Sequence, residues 1–342
     1  MKTIKDVAKA AGVSVATVSR VLNHEKQVSS KTREQVLRVI DEIGYTPNVL
    51  GRNLRVRATD RILVLLPSLS NQFYSSVLKG VEAVASAQGY QTMISVTHND
   101  AEVERGYINL LYNRSVDGIL LMSSSLPAQE ITAIAAERPL VMCSEYNEGA
   151  RLSTVGVNNF QAAFDAVSYL INAGHRRIAM ISSEQTYSGR LRTQGYQAAL
   201  KQAGLTFRPE YLINTQYSFR SGLEACEILL HLPEAPTAVF AISDVLAAGV
   251  MKRLQQAGQI PGRDVDVFGF DNISLADMLT PAVSTVSQPR LEIGKKATEL
   301  LLGKIADIHS PDQAVVLPHQ LVLRQTTRRV VSPAVFPAEK IG

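Results

Sequence analysis

The chain has 342 residues, of which 46% are hydrophobic and 19% are charged, and its formal net charge is +4. This composition is typical of a folded protein that is long enough for more than one packed core, and it excludes a disordered chain. No apolar run reaches the roughly 18 residues that a membrane helix needs, and no secretory signal is recognisable, so we expect a cytoplasmic protein with no membrane partner.

The positive charge is concentrated at the start of the sequence. Through residue 61, twelve Lys and Arg residues stand against six Asp and Glu residues, whereas acidic residues outnumber basic ones in the remainder. A basic segment of this kind is typical of proteins that neutralise DNA phosphates. A solvated charged surface would explain the charge equally well. The choice between these two interpretations therefore depends on the pattern of the helices.

Two short helices are predicted first. Thr3 and Asp6 form a T-x-x-D start that resembles a capping box, and the apolar positions after it lie on one helical face until Gly12. Ser14 is placed to cap a second helix that runs from Val15 to about Leu22.

A third helix completes the segment. It is predicted to start at about Ser30, which we take as its cap, and to end at Gly44. Its apolar stripe consists of Val36, Leu37, Ile40 and Ile43. Three short helices with a glycine-containing turn between the first two indicate a helix-turn-helix.

The second helix carries small and hydroxyl side chains where a recognition helix meets the major groove. Val15 and Ala16 can contact thymine methyl groups, and Arg20 can reach a guanine edge or a phosphate. Thr17 and Ser19 suit phosphate oxygens. The alternative is an amphipathic helix with no DNA role, but its spacing and basic surroundings favour DNA binding.

The segments TIKDVAKAAGVSVATVSRVLN and VSSKTREQVLRVIDEIGYTPN resemble, over residues 3 to 48, the DNA-binding domain of the LacI/GalR family of bacterial repressors. The resemblance implies a regulator that binds double-stranded operator DNA. The DNA-binding residues that we expect are Thr3, Ser14, Val15, Ala16, Thr17, Ser19, Arg20, Asn23 and Leu54.

Residues 47–61 form a connector that the resemblance identifies as a hinge, which becomes helical on the operator and inserts Leu54 into the minor groove. Many relatives have alanine where Gly51 stands, and glycine costs ~1 kcal/mol relative to alanine within a helix. We therefore expect a hinge that orders reluctantly, or that depends on an additional DNA-bound regulator. A plain linker is the alternative.

Beyond Arg61, short apolar strands alternate with helices. RILVLLP, GHRRIAMIS, TAVFAIS and DVDVFGF predict buried strands, and FQAAFDAVSYLINAG and DVLAAGVMKRLQQAG predict helices. Continuous apolar strands with intervening helices indicate parallel sheets, and about ten such units suggest two doubly wound subdomains. Ligands of such sheets bind beyond the carboxyl ends of the strands.

Ligand-like side chains follow several of these strands. Phe73 and Tyr74 come after the first strand, Arg192 comes after IAMIS, and Asp271 comes after DVFGF. An arginine, a carboxylate and aromatic planes are what a polyol or nucleoside needs for hydrogen bonding and stacking. Each residue alone could equally be a core aromatic, a surface ion pair or a helix cap.

The family resemblance extends to about Arg329 and implies a periplasmic-binding-protein-like core with the effector between two subdomains. It matches Arg192 in RTQGY and Asp271 in GFDN to effector-binding positions, and it adds Tyr217 as an aromatic wall and Ser243 as a hydroxyl. The effector-binding residues that we expect are Phe73, Tyr74, Arg192, Tyr217, Ser243 and Asp271.

The expected fold class is α/β, with an N-terminal three-helix helix-turn-helix domain and a two-subdomain, doubly wound effector core. The boundaries that we expect are 1–46 for the DNA-binding domain, 47–61 for the hinge, 62–330 for the core and 331–342 for a tail. Within the core, the first subdomain is expected at about 62–158 and 288–317, and the second at about 159–287 and 318–330.

Within the family, the GRN hinge and the segments AFDAVSYL and FDNISLADM look most like the cytidine-repressor branch. We therefore expect a small nucleoside or sugar as effector, acting as inducer or as corepressor. A homodimer is expected because two small helix-turn-helix units read a palindrome, and the tail lacks the leucine heptads of a tetramerising bundle.

Catalysis finds little support in the sequence. The six histidines form no H-x-x-x-H pair and are expected at the surface or as caps, and Cys143 and Cys226 are expected as buried thiols. No nucleophile elbow, P-loop or dinucleotide motif is present, so we expect no enzyme, no cofactor and no metal. A solute-binding protein without a DNA role is the strongest alternative, and a sugar-processing enzyme comes third.

Overall fold

The computed structural model describes residues 2–22, 27–45 and 58–328. The chain divides into two compact units, Met1–Thr59 and Asp60–Gly342. The described part of the first unit is helical, whereas the second unit contains two sheets with helices around them.

The described residues of the first unit form the helices α1 (Ile4–Ala10), α2 (Val15–Leu22) and α3 (Ser30–Ile43). The backbone amide and hydroxyl of Thr3 donate to the Asp6 carboxylate at 2.8 and 2.9 Å, which confirms the predicted capping box. The Thr17 amide donates to Ser14 Oγ at 3.1 Å, so Ser14 caps α2 as predicted. The helices share a small apolar core formed by Val7, Ala8, Ala11, Val18, Val21 and Val36.

Two details of α3 differ from the prediction. Its cap is Ser29, whose hydroxyl accepts the Thr32 amide at 3.3 Å, whereas Ser30 is the first helical residue. Leu37 is exposed, although it was placed in the apolar stripe. It lies about 100° round the helix from Val36 because an α-helix has 3.6 residues per turn. Val39, three residues after Val36, packs against the core instead.

Parallel strands alone form the first sheet of the second unit. They are β1 (Arg61–Leu66), β2 (Gln91–Val96), β3 (Gly118–Leu121), β4 (Leu140–Cys143), β5 (Ser153–Val157) and β11 (Ala314–Leu317). Their order is β11-β5-β4-β3-β1-β2. Because β1 pairs with β2 on one side and with β3 on the other, the strand order reverses at β1. The loop after β1 therefore lies at a switch point, where open α/β sheets bind ligands.

The second sheet repeats this arrangement. Its strands are β6 (Ile178–Ser182), β7 (Leu212–Asn214), β8 (Ala238–Ala241), β9 (Asp266–Asp271), β10 (Ser284–Ser287) and β12 (Gln320–Val322). Their order is β12-β10-β9-β8-β6-β7, so β6 is the switch strand. Contrary to the expectation of purely parallel sheets, β12 runs antiparallel to β10. A parallel strand at this position would need a long crossover connection. The link between β11 and β12 is too short for one, so β12 pairs antiparallel.

Helices cover both sheets. Those of the first sheet are α4 (Gln72–Ala87), α5 (Ala101–Tyr112), α6 (Ala128–Glu137) and α12 (Arg290–Ala306). Those of the second are α7 (Asn159–Asn172), α8 (Tyr187–Gln202), α9 (Phe219–Leu230), α10 (Asp244–Gln256) and the short α11 (Ser274–Met278). A 3-10 turn at Pro209–Tyr211 precedes β7. The chain passes between the sheets after β5, between β10 and α12, and between β11 and β12.

A close contact between α4 and α12 fixes the start of α12. A Cβ atom at Gly80 would lie 2.1 Å from the Leu291 carbonyl oxygen, and one at Gly294 would lie 2.0 Å from that of Val77. Only glycine fits at both positions. The packing therefore holds Arg290, the first residue of α12, in place beside the second sheet.

The buried thiols are as predicted, but one histidine is not. Cys143 and Cys226 are both buried and unpaired. His175, expected at the surface or as a cap, is instead 2% exposed, with Nδ1 2.9 Å from the Thr237 hydroxyl and Nε2 3.0 Å from the Asp266 carboxylate. Nδ1 is within hydrogen-bonding distance of Thr237, whereas Nε2 lies close to the Asp266 carboxylate without forming a hydrogen bond to it.

Candidate DNA-binding helix and effector cavity

Helix α2 presents most of the predicted DNA-binding residues. Val15, Ala16 and Arg20 are exposed, and Thr17 and Ser19 are half-buried. The opposite face is buried through Val18 and Val21. The exposed face therefore offers two small apolar side chains near the start of the helix and a guanidinium in its last turn.

Thr3 and Ser14 are exposed but already serve as helix caps. The hydroxyls of Ser14 and Thr17 also lie 2.9 Å apart within hydrogen-bonding distance. A hydroxyl that caps a helix keeps further hydrogen-bonding capacity for a phosphate oxygen. The predicted Asn23 and Leu54, and Gly51 of the hinge, lie outside the described residues.

A cavity of about 1060 Å³ opens in the second unit at the carboxyl ends of the strands of both sheets. Loops that follow β1, β3 and β4 line it from the first sheet, and loops that follow β6, β7 and β8 line it from the second. All six predicted effector-binding residues contribute to its wall: Phe73, Tyr74, Arg192, Tyr217, Ser243 and Asp271. The structure thus brings together residues that are up to 198 positions apart in the chain.

Arg192 is an almost fully buried cationic group of the cavity and lies in α8 rather than in a loop. Its Nε donates to Asn159 Oδ1 at 2.9 Å, and its Nη1 donates to the Ile242 carbonyl at 2.7 Å. The guanidinium carbon lies 3.6 Å from the centroid of the Phe270 ring. Within the described part of the chain, no hydrogen bond to Nη2 is found, so this nitrogen remains for a ligand.

Asp271 ends β9 and supplies a carboxylate. Gln288 Nε2 donates to its Oδ1 at 2.8 Å. Burial raises the pKa of Asp271 to about 6, while the positive charge of Arg192 and the bond from Gln288 oppose the rise. The group is therefore ionised at neutral pH and can accept hydrogen bonds from ligand hydroxyls.

Aromatic side chains form another part of the wall. Phe73 and Tyr74 lie in the first turn of α4 and not in the preceding loop, with their rings edge to face and their centroids 5.5 Å apart. The Tyr217 hydroxyl lies 3.3 Å from that of Thr186. Burial raises the pKa of Tyr74 and of Tyr217, so both phenols stay protonated and remain able to donate.

Ser243 lines the cavity but also caps α10. Its hydroxyl oxygen accepts the Leu246 amide at 3.2 Å. The hydroxyl proton remains available for donation to a ligand oxygen.

The carboxylate of Glu145 is a cavity group that the sequence did not reveal. It follows β4, a strand that was not predicted, and it accepts hydrogen bonds from the amide and hydroxyl of Ser188. Burial raises its pKa, although the bonds from Ser188 act in the opposite direction. The apolar segment LVMC before it is the signal that would have located it.

A serine run after β3 is a second feature that was missed. Ser123, Ser124 and Ser125 line the cavity. Behind them, the buried Glu104 accepts the Ser124 hydroxyl at 2.5 Å and the Ser125 amide at 2.9 Å. The run starts at the last residue of the predicted strand DGILLMS. Its position at the end of a strand was the signal that would have identified it as a cavity-lining segment.

The cavity is therefore suited to binding rather than to catalysis. Its hydroxyls, its carboxylates and one buried guanidinium can bond a ligand rich in hydroxyl groups, and its aromatic rings can cover a ring face. Among the described residues, no group of His, Cys, Asp and Glu side chains is arranged to hold a metal ion. In the same part of the chain, no helix is long and apolar enough to cross a membrane.

Two family signatures match this chain. Residues 3–48 match that of the bacterial regulatory proteins of the lacI family, and residues 167–327 match that of the periplasmic binding protein-like domain. The chain is 37% identical to the HTH-type transcriptional repressor CytR of Escherichia coli K12 over 330 residues, which are 95% of this chain and 96% of the relative. It is 35% identical to the ribose operon repressor of Haemophilus influenzae, with 95% and 98% of the two chains covered.

Two solved structures match 95% of this chain. A complex of the transcriptional regulator CelR with cellobiose matches with a TM-score of 0.72 and 30% identity, covering 95% of this chain and all of the other. The lac repressor dimer bound to operator and the anti-inducer ONPF matches with a TM-score of 0.86 and 26% identity, covering 95% and 99%.

Proposed function

This chain belongs to the lacI family of bacterial regulatory proteins and is a DNA-binding transcriptional regulator with an effector-binding core, and we propose that a nucleoside or sugar controls its affinity for operator DNA. Relatives of this family act as transcriptional repressors and not as enzymes. The match of residues 3–48 sets aside a solute-binding protein without a DNA role. The protein binds double-stranded operator DNA and a small-molecule effector, and it acts as a dimer.

For the DNA contacts, we propose that the exposed face of α2 enters the major groove. The support is that Val15, Ala16 and Arg20 are exposed on one helix whose other face is buried. We assign residues 1–46 to the DNA-binding domain, 47–61 to the hinge and 62–330 to the effector core. Because the DNA that it regulates lies in the bacterial cytoplasm, we assign the protein to that compartment.

The observation that carries the effector proposal is the pairing of two buried, oppositely charged groups in one cavity. Arg192 and Asp271 are each 5% exposed and offer donors and an acceptor for adjacent hydroxyl groups. A ribose ring has such hydroxyls, as has a free sugar. The cysteine and histidine chemistry of an enzyme has no counterpart among the cavity residues described.

A nucleoside is the first candidate within this class. The cavity lies at the upper end of the volume range of drug-sized ligand sites, so it has room for a base beside a ribose. Tyr74 and Tyr217 provide rings against which a base can stack. A sugar is the second candidate, because one relative is a ribose operon repressor and one solved neighbour is a complex with cellobiose.

The test is the affinity of the purified full-length protein for its own promoter region at fixed salt, with cytidine, adenosine, D-ribose and cellobiose added in turn. Salt is held constant because it alone changes such affinities by orders of magnitude. We expect specific binding that one of these compounds shifts, and the direction of the shift separates inducer from corepressor. Specific binding that no nucleoside or sugar alters would refute the effector class but not the DNA-binding role.

A further inference from the structure

Strained backbone adjoins the carboxylate of the cavity. Asp271 has φ of +106° and Asn272 has φ of +52°, in the left-handed region that favours glycine. Such conformations persist only where the surroundings hold them. The turn from Asp271 to Ile273 therefore needs fixed hydrogen-bond partners.

One buried carboxyl, that of Asp244, supplies them. Its Oδ2 accepts the Ile273 amide at 2.8 Å, and its Oδ1 lies 2.5 Å from the Thr285 hydroxyl. The same hydroxyl accepts the Asn272 amide at 3.3 Å. Asp244 thus holds two successive amides of the turn, one directly and one through Thr285, although it does not line the cavity.

The fold leaves space for this carboxyl. A Cβ atom at Gly269, in the buried strand β9, would lie 2.4 Å from Asp244 Oδ1. Glycine weakens the interior of a strand and is found where another group approaches closely. Here that group is the Asp244 carboxyl.

The turn also reaches the first sheet. Ile273 belongs to the second sheet's chain segment but is 1% exposed within the apolar core of the first sheet, and Val245 and Leu275 pack against that core. The Asn272 carbonyl accepts Arg290 Nη2 at 2.5 Å, and Arg290 begins α12 of the first sheet. Two residues after the cavity carboxylate, the chain is therefore anchored in the other half of the core.

We propose that Asp244 is a positioning residue that holds the Asp271–Ile273 turn in its ligand-binding geometry and joins the effector cavity to the core of the first sheet. The inference rests on the proposed function, because Asp271 is the group through which an effector would act. Asp244 itself touches no effector. Its loss should therefore displace Asp271 and weaken effector binding indirectly.

The two buried aspartates have pKa values shifted in the same direction. Burial and the nearby Asp271 raise the pKa of Asp244 to about 8, and burial raises the pKa of Asp271 to about 6. Both shifts favour the protonated carboxyl, because a negative charge is costly to bury.

The experiment compares full-length wild type with Asp244→Ala, Asp244→Asn and Asp266→Asn. Asp266 is a matched control, since it is also fully buried on β9 but bonds the Arg328 amide at the other end of the strand. The first readout is hydrogen exchange of the Asn272 and Ile273 amides without ligand. The second is calorimetric binding of cytidine and of D-ribose.

We expect Asp244→Ala to exchange these two amides at least tenfold faster and to bind the probe at least tenfold more weakly. Asp244→Asn keeps an acceptor for Ile273 and should stay within about threefold of wild type in binding, and Asp266→Asn should match wild-type exchange at the turn. Thr285→Val removes the bridging hydroxyl without changing shape, and it replaces Asp244→Ala if that variant does not fold.

Unchanged exchange at Asn272 and Ile273 in a folded Asp244→Ala or Thr285→Val protein would overturn the proposal. Faster exchange with unchanged probe affinity would overturn the link between the turn and the effector. If wild type binds neither cytidine nor D-ribose, the effector class proposed above fails, and the exchange readout still decides whether Asp244 holds the turn.

Discussion

Glu145 accepts hydrogen bonds from both the backbone amide and the hydroxyl of Ser188, with the amide nitrogen 3.1 Å from Oε2. Glu145 follows β4 of the first sheet, and Ser188 lies in the first turn of α8 on the second. Both residues line the cavity. The contact therefore joins the two halves of the effector core at the wall of the cavity.

Removing this tie should loosen the core. We expect Glu145→Ala to raise the radius of gyration of the ligand-free protein in small-angle X-ray scattering, because two hydrogen bonds between the halves are lost and each contributes about 0.5–1.5 kcal/mol. Ser70→Ala is the control, since Ser70 also lines the cavity but its amide bonds Ser68 in its own loop. Equal scattering from wild type and Glu145→Ala would mean that other contacts hold the halves together.

Arg20→Ala should weaken specific operator binding by about 1–3 kcal/mol, because the side chain is exposed on the predicted recognition helix. The circular dichroism spectrum should not change, because the side chain is exposed. Fluorescence anisotropy with operator and with unrelated DNA measures the effect, and Lys9→Ala on α1 is the control. An equal loss on both DNAs would assign Arg20 to phosphate contact, and no loss on either would exclude it from the interface.

Asp271→Ala should leave operator affinity intact and abolish the response to effector. The carboxylate is buried in the cavity of the second unit, so its loss leaves a ligand hydroxyl without an acceptor. Operator binding is measured with and without the active compound, and Asp277→Asn is the control because Asp277 is largely exposed. A normal response in Asp271→Ala would place the effector site elsewhere.

Effector binding should weaken as pH falls through about 6. The pKa of Asp271 is raised to about 6 by burial, so below that value the carboxyl gains a proton and loses acceptor capacity. Calorimetric measurement of effector affinity between pH 5 and 8 tests this. In Asp271→Asn, the affinity that can still be measured should not depend on pH over this range. Affinity that is constant over this range would show that the ligand does not need the ionised carboxylate.

Asp244 should make stability depend on pH in the opposite sense from an ion-paired aspartate. Its folded pKa of about 8 lies above the ordinary value of 3.8, so the folded state binds more protons between these values. Its contribution to stability is therefore full below pH 3.8 and falls as pH rises towards 8, by up to about 1.4 kcal/mol per pH unit. The free energy of unfolding, measured with denaturant at pH 5 and pH 8, should fall less between these values in Asp244→Asn than in wild type. An equal difference between the two proteins at both pH values would contradict this.

Local patterns in the sequence were sufficient to predict most helices and strands and the types of side chain available for ligand binding. Helical periodicity and serine or threonine caps predicted the start of α1 and both ends of α2 because such signals act within one turn of the chain, whereas α1 ends at Ala10, before the predicted Gly12. Arg192 and Asp271 were recognised as candidates because each follows an apolar strand. Where two hydroxyls are adjacent, as at Ser29 and Ser30, the local pattern does not separate the cap from its neighbour.

Only the tertiary structure decided which distant groups meet. Glu145 and Ser188 are 43 positions apart, and Asp244 and Ile273 are 29 apart. Neither pair has a periodic or capping signature, because each depends on how loops from separate strands converge at the sheet edges. The sequence determined the helices, most strands and the chemistry available at their ends, and the packing of the two sheets determined which of those groups face one cavity and which hold it in shape.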